Sequence, residues 1–269
     1  PNFNDTFIPD GRVFAFDGGT GTDTVDYSTS AAAINVEIRP GTSSVGTGGD
    51  AEGDTLTAVE KVIGSAFNDS FTAAAISYAT FEGGAGDDTY YVNGGGVTAI
   101  EQAGGGNDQI IVSWNTHTMA ANIQRMTFTG SAAFTGYGNA SDNIITSGIG
   151  NDVLLVGGGA DQFFGGAGMD TVSYDDSTVG VSINLKTGVS TGIAMGDTYN
   201  SIETITGSRL NDIFVGNSAA FAFNGGAGLD MVSYESSDSA VTIDLKTNAH
   251  TGDAAGGTFA RIEIFQGRR

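Results

Sequence analysis

Aspartates recur along this chain at a spacing that few folds tolerate. Asp5 and Asp23, Asp152 and Asp170, and Asp212 and Asp230 are each 18 residues apart. Asp69 to Asp88 and Asp142 to Asp161 span 19, and Asp88 to Asp108 spans 20. Asp152, Asp161 and Asp170 follow one another at nine. Eighteen residues are two units of nine. If each unit is a turn plus a short strand, one coil holds two units on opposite sides. Residues 18 apart then stack along one edge, which predicts an all-β, stacked-coil architecture.

The turns themselves repeat. GGTGTD starts at Gly18, GGAGDD at Gly83, GGAGMD at Gly165 and GGAGLD at Gly225. Short β-branched or aromatic runs follow them, such as Thr89-Tyr90-Tyr91-Val92, Gln109-Ile110-Ile111-Val112 and Ile213-Phe214-Val215. Residues 165–209 and 225–269 align without a gap, with 23 of 45 positions identical. A looser copy runs from Gly18 to about Ser65. These copies mark three regions: 1–82, a central run over 83–164, and 165–269, itself two tandem repeats (165–224 and 225–269). They are read as parts of one continuous solenoid. Leu56 to Ile63 and Met119 to Met126 are read as strands rather than helices.

Calcium takes six to eight hard oxygens in flexible geometry. A Gly-Gly-x-Gly-x-Asp turn offers bare backbone carbonyls and one carboxylate, about half a shell. Two turns one coil apart offer a whole one. Without a cation, stacked aspartates repel one another by about 1 kcal/mol per pair at 4 Å in water, and more in a drier edge. Several calcium ions are therefore expected, coupled to folding. The candidate ligands are Asp5, Asp23, Asp69, Asp88, Asp108, Asp142, Asp152, Asp161, Asp170, Asp212 and Asp230.

These turns resemble the GGxGxDxUx nonapeptide (U apolar) of the RTX family of calcium-binding β-roll proteins. The likeness is closest at Gly18–Val25, Gly83–Tyr90, Gly165–Val172 and Gly225–Val232. It implies a right-handed parallel β-roll or β-solenoid with calcium-binding Gly/Asp turns, export by bacterial type I secretion, and folding outside the cell where calcium is millimolar.

Composition narrows the function. The 269 residues carry 31 acidic and 10 basic side chains, a net charge of −21. Such a chain repels nucleic acid and anionic lipid. No run of about 18 apolar residues is present, so no membrane insertion is expected. Cysteine is absent and there are two histidines, which excludes disulfides and leaves little for zinc. There is no HExxH, and the glycine turns lack GK[ST] and lead into strands. The chain is read as a non-enzyme. Residues 1–19 align with 208–226 at 8 of 19 identities, and Arg269 falls at the repeat phase of Arg209. This suggests head-to-tail stacking of copies or tandem-array neighbours, as in a calcium-stabilised fibre, surface layer or adhesive matrix on a bacterium. The alternatives are an export-and-folding module of a larger secreted enzyme or adhesin, and a module that binds cell-surface polysaccharide.

Overall fold

The computed structural model describes residues 3–39, 41–74 and 78–268. Arg269, whose repeat phase was read above, lies outside them. The chain divides into two compact units, residues 1–130 and 131–269. The division falls within the region 83–164.

Each unit is a roll of short parallel strands. In the first, Thr6–Phe7, Thr24–Asp26, Lys61–Ile63, Ala79–Glu82 and Val97–Ile100 form one parallel sheet. Asn35–Ile38, Ser70–Ala73, Thr89–Val92, Gln109–Val112 and Arg125–Phe128 form the second. From Lys61 to Val112 the chain alternates between them, so each coil there contributes one strand to each sheet. Partners along the chain sit one coil apart: Thr6 pairs with Thr24, and Ser70 with Thr89.

The second unit repeats the plan. Thr135–Tyr137, Val153–Leu155, Thr171–Ser173, Thr204–Thr206, Ala222–Asn224 and Thr258–Ala260 stack as one parallel sheet. The strands alternating with them lie in two others. Ile144–Thr146, Gln162–Phe164 and Thr198–Asn200 form one. Ser182–Asn184, Ile213–Val215, Met231–Ser233 and Ile264–Gln266 form the other. The expected all-β parallel roll is the fold found.

Many of the three-residue strands bury their middle residue between two half-buried neighbours, as in Thr-Val-Asp at Thr24–Asp26 and Val-Leu-Leu at Val153–Leu155. Side chains alternate across a strand, so one inward position per nonapeptide suffices to fill the core. Val25, Val62, Phe81, Phe71, Tyr90 and Ile110 line the first unit's interior, and Leu154, Val172, Ile205, Phe223, Phe163 and Phe214 line the second's. Ring stacking continues from coil to coil, with Phe71 and Tyr90 centroids 5.3 Å apart.

The three related repeats carry longer coils. Gln162 pairs with Thr198 and Thr171 with Thr204, where shorter coils would pair residues 18 apart. The extra residues fold back as antiparallel pairs, Thr242–Asp244 with Ala249–Thr251, and Ser44–Val45 with Thr55–Thr57. Each excursion includes a 3-10 turn, at Gly49–Ala51, Gly192–Ala194 and Gly252–Ala254. Leu56 to Ile63 is two strands, Thr55–Thr57 and Lys61–Ile63, parted at Ala58, whose φ is +48°. Within Met119 to Met126 the strand begins only at Arg125. Apolar spacing showed extended chain there but not the bend.

Candidate metal centre

The ladder residues stand immediately before the strands. There the turn closes, so the side chain points along the stack toward the coil before it. Oδ1 of each aspartate accepts a hydrogen bond from a backbone N–H one coil earlier. Asp23 accepts from Asp5, Asp88 from Asp69, and Asp108 from Asp88, at 2.7–2.9 Å. In the second unit Asp152 accepts from Phe134, Asp170 from Asp152, Asp161 from Asn143, and Asp230 from Asp212, at 2.8–2.9 Å. The carboxylate thus closes a backbone donor that the strand ladder leaves open.

The second oxygen divides the turns into two kinds. Oδ2 of Asp23, Asp88, Asp108, Asp152, Asp161, Asp170 and Asp230 is buried and accepts no hydrogen bond. Asp69 and Asp212 differ. Their Oδ2 accepts the backbone N–H of Ser65 and Ser208, and their Oδ1 accepts the serine hydroxyl. These turns read Gly-Ser where the others of closest likeness read Gly-Gly. In these turns the serine N–H gives Oδ2 the partner it lacks in the Gly-Gly turns, and the hydroxyl adds a second donor to Oδ1.

Asp5 and Asp142 are exposed. Asp5 gives its N–H to the ladder. Asp142 stands one residue ahead of the ladder position, which is Asn143. It belongs instead to an outer row, where a side-chain oxygen accepts the N–H 18 to 20 residues on: Asp142 from Ala160, Asn68 from Asp87, Asn151 from Met169, Asn211 from Leu229. The Asn-Asp pairs in the sequence are these two rows side by side.

Several members were missed from sequence. Oxygens of Glu60, Glu203 and Glu263 accept the N–H of Asp23, Asp170 and Asp230. They reach from the longer coils, and the recurring Ile-Glu pairs (Ile202-Glu203, Ile262-Glu263) were their signal. Gln124 does the same for Asp108. Asp54 and Asp197 take both a backbone N–H and a buried tyrosine hydroxyl, Tyr27 at 3.1 Å and Tyr174 at 2.6 Å. Tyr27 and Tyr174 are therefore core residues anchored by carboxylates.

Glycine makes room for this arrangement. The first glycine of each turn lies against the carboxylate five residues on. A β-carbon on Gly225 would overlap Asp230 Oδ2 and the Arg261 carbonyl, and one on Gly83 would overlap Asp88 Oδ2. The glycines at the second and fourth positions, such as Gly166 and Gly168 at φ +93° and +137°, rest on carbonyls of Gly148 and Gly150 one coil earlier. Gly225→Ala is expected to cost about 3 kcal/mol by overpacking, read as a lowered denaturation midpoint in calcium. An unchanged midpoint would mean that the turn has slack.

Burial works against ionisation at several ladder residues. It raises the carboxyls of Asp69, Asp108, Asp170, Asp212 and Asp230. Asp88 is pushed up to about 8, by burial first and then by the charges of Glu101, Asp69 and Asp108. Burial, with Asp197 and Asp142 nearby, carries Asp161 to about 7. Groups of this kind invite a cation, which would restore the charged form. Calcium fits the donor set: hard carboxylate oxygens without hydrogen bonds, amid glycine turns with no side chains to crowd the carbonyls. Asp88, Asp108, Asp152, Asp161, Asp170 and Asp230 would hold it, with Asp23.

Fold and ladder together define a parallel β-roll with an acidic, glycine-cradled edge. A family model described as the RTX calcium-binding nonapeptide repeat matches residues 80–98 and 137–172. Over those residues the chain carries RTX nonapeptide repeats, a repeat described as calcium-binding. It is also similar to two proteins of Rhizobium meliloti (strain 1021). It is 41% identical over 91 residues to endo-1,3-1,4-beta-glycanase ExsH, and 38% identical over 85 residues to endo-1,3-1,4-beta-glycanase EglC. The alignments cover 34% and 32% of this chain, but only 19% and 18% of those proteins.

Proposed function

We propose that this chain is a calcium-folded module of a larger secreted bacterial protein, expanded where calcium is scarce and rolled up where it is millimolar. The buried, unpartnered Oδ2 oxygens carry this reading. They are costly in a metal-free fold and are ligands in a loaded one. The two glycanases support the modular part, because the likeness occupies less than a fifth of each. No helix among the described residues is long and apolar enough to cross a membrane. The role is binding and scaffolding, without a catalytic step.

Head-to-tail stacking of copies into a fibre or matrix is the second reading. Its support is the identity between residues 1–19 and 208–226, which gives the first coil the sequence of an internal one. Size-exclusion chromatography with light scattering, in millimolar calcium and in chelator, separates the two. A compact monomer in calcium and an expanded one in chelator is the result expected of a module. Calcium-dependent polymers would favour the fibre. An unchanged radius would remove the calcium-folding role altogether.

A further inference from the structure

We infer that Glu101 completes a mixed carboxylate calcium site with Asp88 and Asp108, of higher charge than the nonapeptide alone provides. Glu101 and Asp108 lie outside the residues that the family model matches. Glu101 is also no part of a Gly-Gly-x-Gly-x-Asp turn. Strand register shows how it enters. Phe81 pairs with Ala99 and Glu82 with Ile100, so the next residues, Gly83 and Glu101, occupy equivalent places in successive coils. Ile63 pairs with Glu82, which puts Gly64 one coil further back. Two glycines and then a glutamate thus stand at one position. The glutamate side chain turns into the stack rather than leaving room in it.

One carboxylate oxygen from each of Asp88, Glu101 and Asp108 lies within 4.8 Å of the others. The three residues are 1%, 7% and 0% exposed. Asp88 Oδ2, Glu101 Oε2 and Asp108 Oδ2 all accept no hydrogen bond. Their other oxygens are engaged: Asp88 Oδ1 with the Asp69 N–H, Asp108 Oδ1 with the Asp88 N–H, and Glu101 Oε1 with the Tyr90 hydroxyl. Each carboxylate is held by one oxygen and presents the other. The Asn122 side-chain amide fixes the Glu101 carbonyl at 2.9 Å. Three buried carboxylates sharing one spot, with no basic side chain among their hydrogen-bond partners, are what a hard divalent cation needs, and calcium tolerates their irregular placement.

The inference rests on the calcium reading of the ladder. Its test is the isosteric substitution Glu101→Gln in the full chain, followed by thermal unfolding in chelator and across a calcium titration. The predicted effects have opposite signs. The metal-free chain melts higher, because a buried charge is gone. The calcium midpoint for folding rises at least tenfold, because a charged ligand is gone. A glutamate serving only as the acceptor for Tyr90 would not separate the two conditions. If Glu101→Gln does not fold, Glu101→Asp replaces it; this keeps the charge, withdraws the oxygen by one methylene, and carries the same expected rise in midpoint. A wild-type calcium response with an unshifted midpoint in the variant that folds overturns the assignment of Glu101 and leaves the ladder standing. A wild type indifferent to calcium overturns both.

Discussion

Chelating calcium near pH 8 is expected to abolish most of the β-sheet signal, and acidifying the chelated chain toward about pH 5 to restore part of it. The reason lies in the buried carboxylates. Asp88 is raised to about 8, and Glu101 and Asp161 to about 7, well above the ordinary carboxylate range. For Glu101 the cause is burial, aided by the charge of Asp108; the Tyr90 hydroxyl and the backbone N–H groups of Gln102 and Gly84 oppose it without closing a hydrogen bond on Oε2. A carboxyl with a higher pKa folded than unfolded binds protons more tightly in the fold. The stability it lends is fully present below the unfolded value near 4, and is lost as pH climbs through 7 to 8. Acid therefore helps the metal-free roll, and it also reduces the net charge of −21. Calcium reverses the sign, since it binds the deprotonated form: the loaded roll gains stability as pH rises. Circular dichroism at both pH values, with and without chelator, checks this. Equal folding in chelator at about pH 8 and pH 5 would show that these carboxyls are not strained by burial.

The second large effect is a contrast between two aspartates of the same row. Asp170→Asn is expected to raise the calcium midpoint strongly and to leave the metal-free chain no less stable. Asp212→Asn is expected to destabilise both states alike. The amide oxygen of asparagine can still take the Asp152 N–H that Asp170 Oδ1 accepts. Its NH2 then replaces Oδ2, which had no partner, so only a cation notices. At Asp212 the same NH2 would face the Ser208 N–H, which donates to Oδ2 at 2.7 Å. Two donors would meet where a donor and an acceptor had been, and a buried polar group left without its partner costs about 1–3 kcal/mol. Calcium titrations followed by denaturation in chelator compare the pair. Parallel shifts in the two variants would mean that the serine turns and the double-glycine turns do the same work.

Much of this was legible because the roll is periodic. The 18-residue recurrence of Asp152 and Asp170 gave the coil length, and the turn that ends in each aspartate gave the edge. What stayed hidden was local chemistry that spacing does not encode. Asp142 looked like a ladder member at 19 residues from Asp161, but Asn143 takes that place, and an asparagine does not advertise itself as a metal ligand. Ser65 and Ser208 stand where the double-glycine turns have their second glycine, and their hydroxyls and N–H groups satisfy Asp69 and Asp212 outright. Glu101 carried no motif, and only strand register shows that it replaces a glycine. The hairpin excursions in the longer coils were visible as repeated sequence, but their antiparallel pairing was not.

Locating the ions shows whether the unpartnered Oδ2 oxygens hold the metal. Crystals grown in calcium, or with a lanthanide in its place, give anomalous difference peaks at each bound ion. Peaks are expected beside Asp88 and Asp108, between Asp152 and Asp170, and at Asp161 and Asp230, and none held by the Oδ2 of Asp69 or Asp212. Peaks confined to exposed acids such as Asp10 and Asp176, with the inner row bare, would contradict that placement.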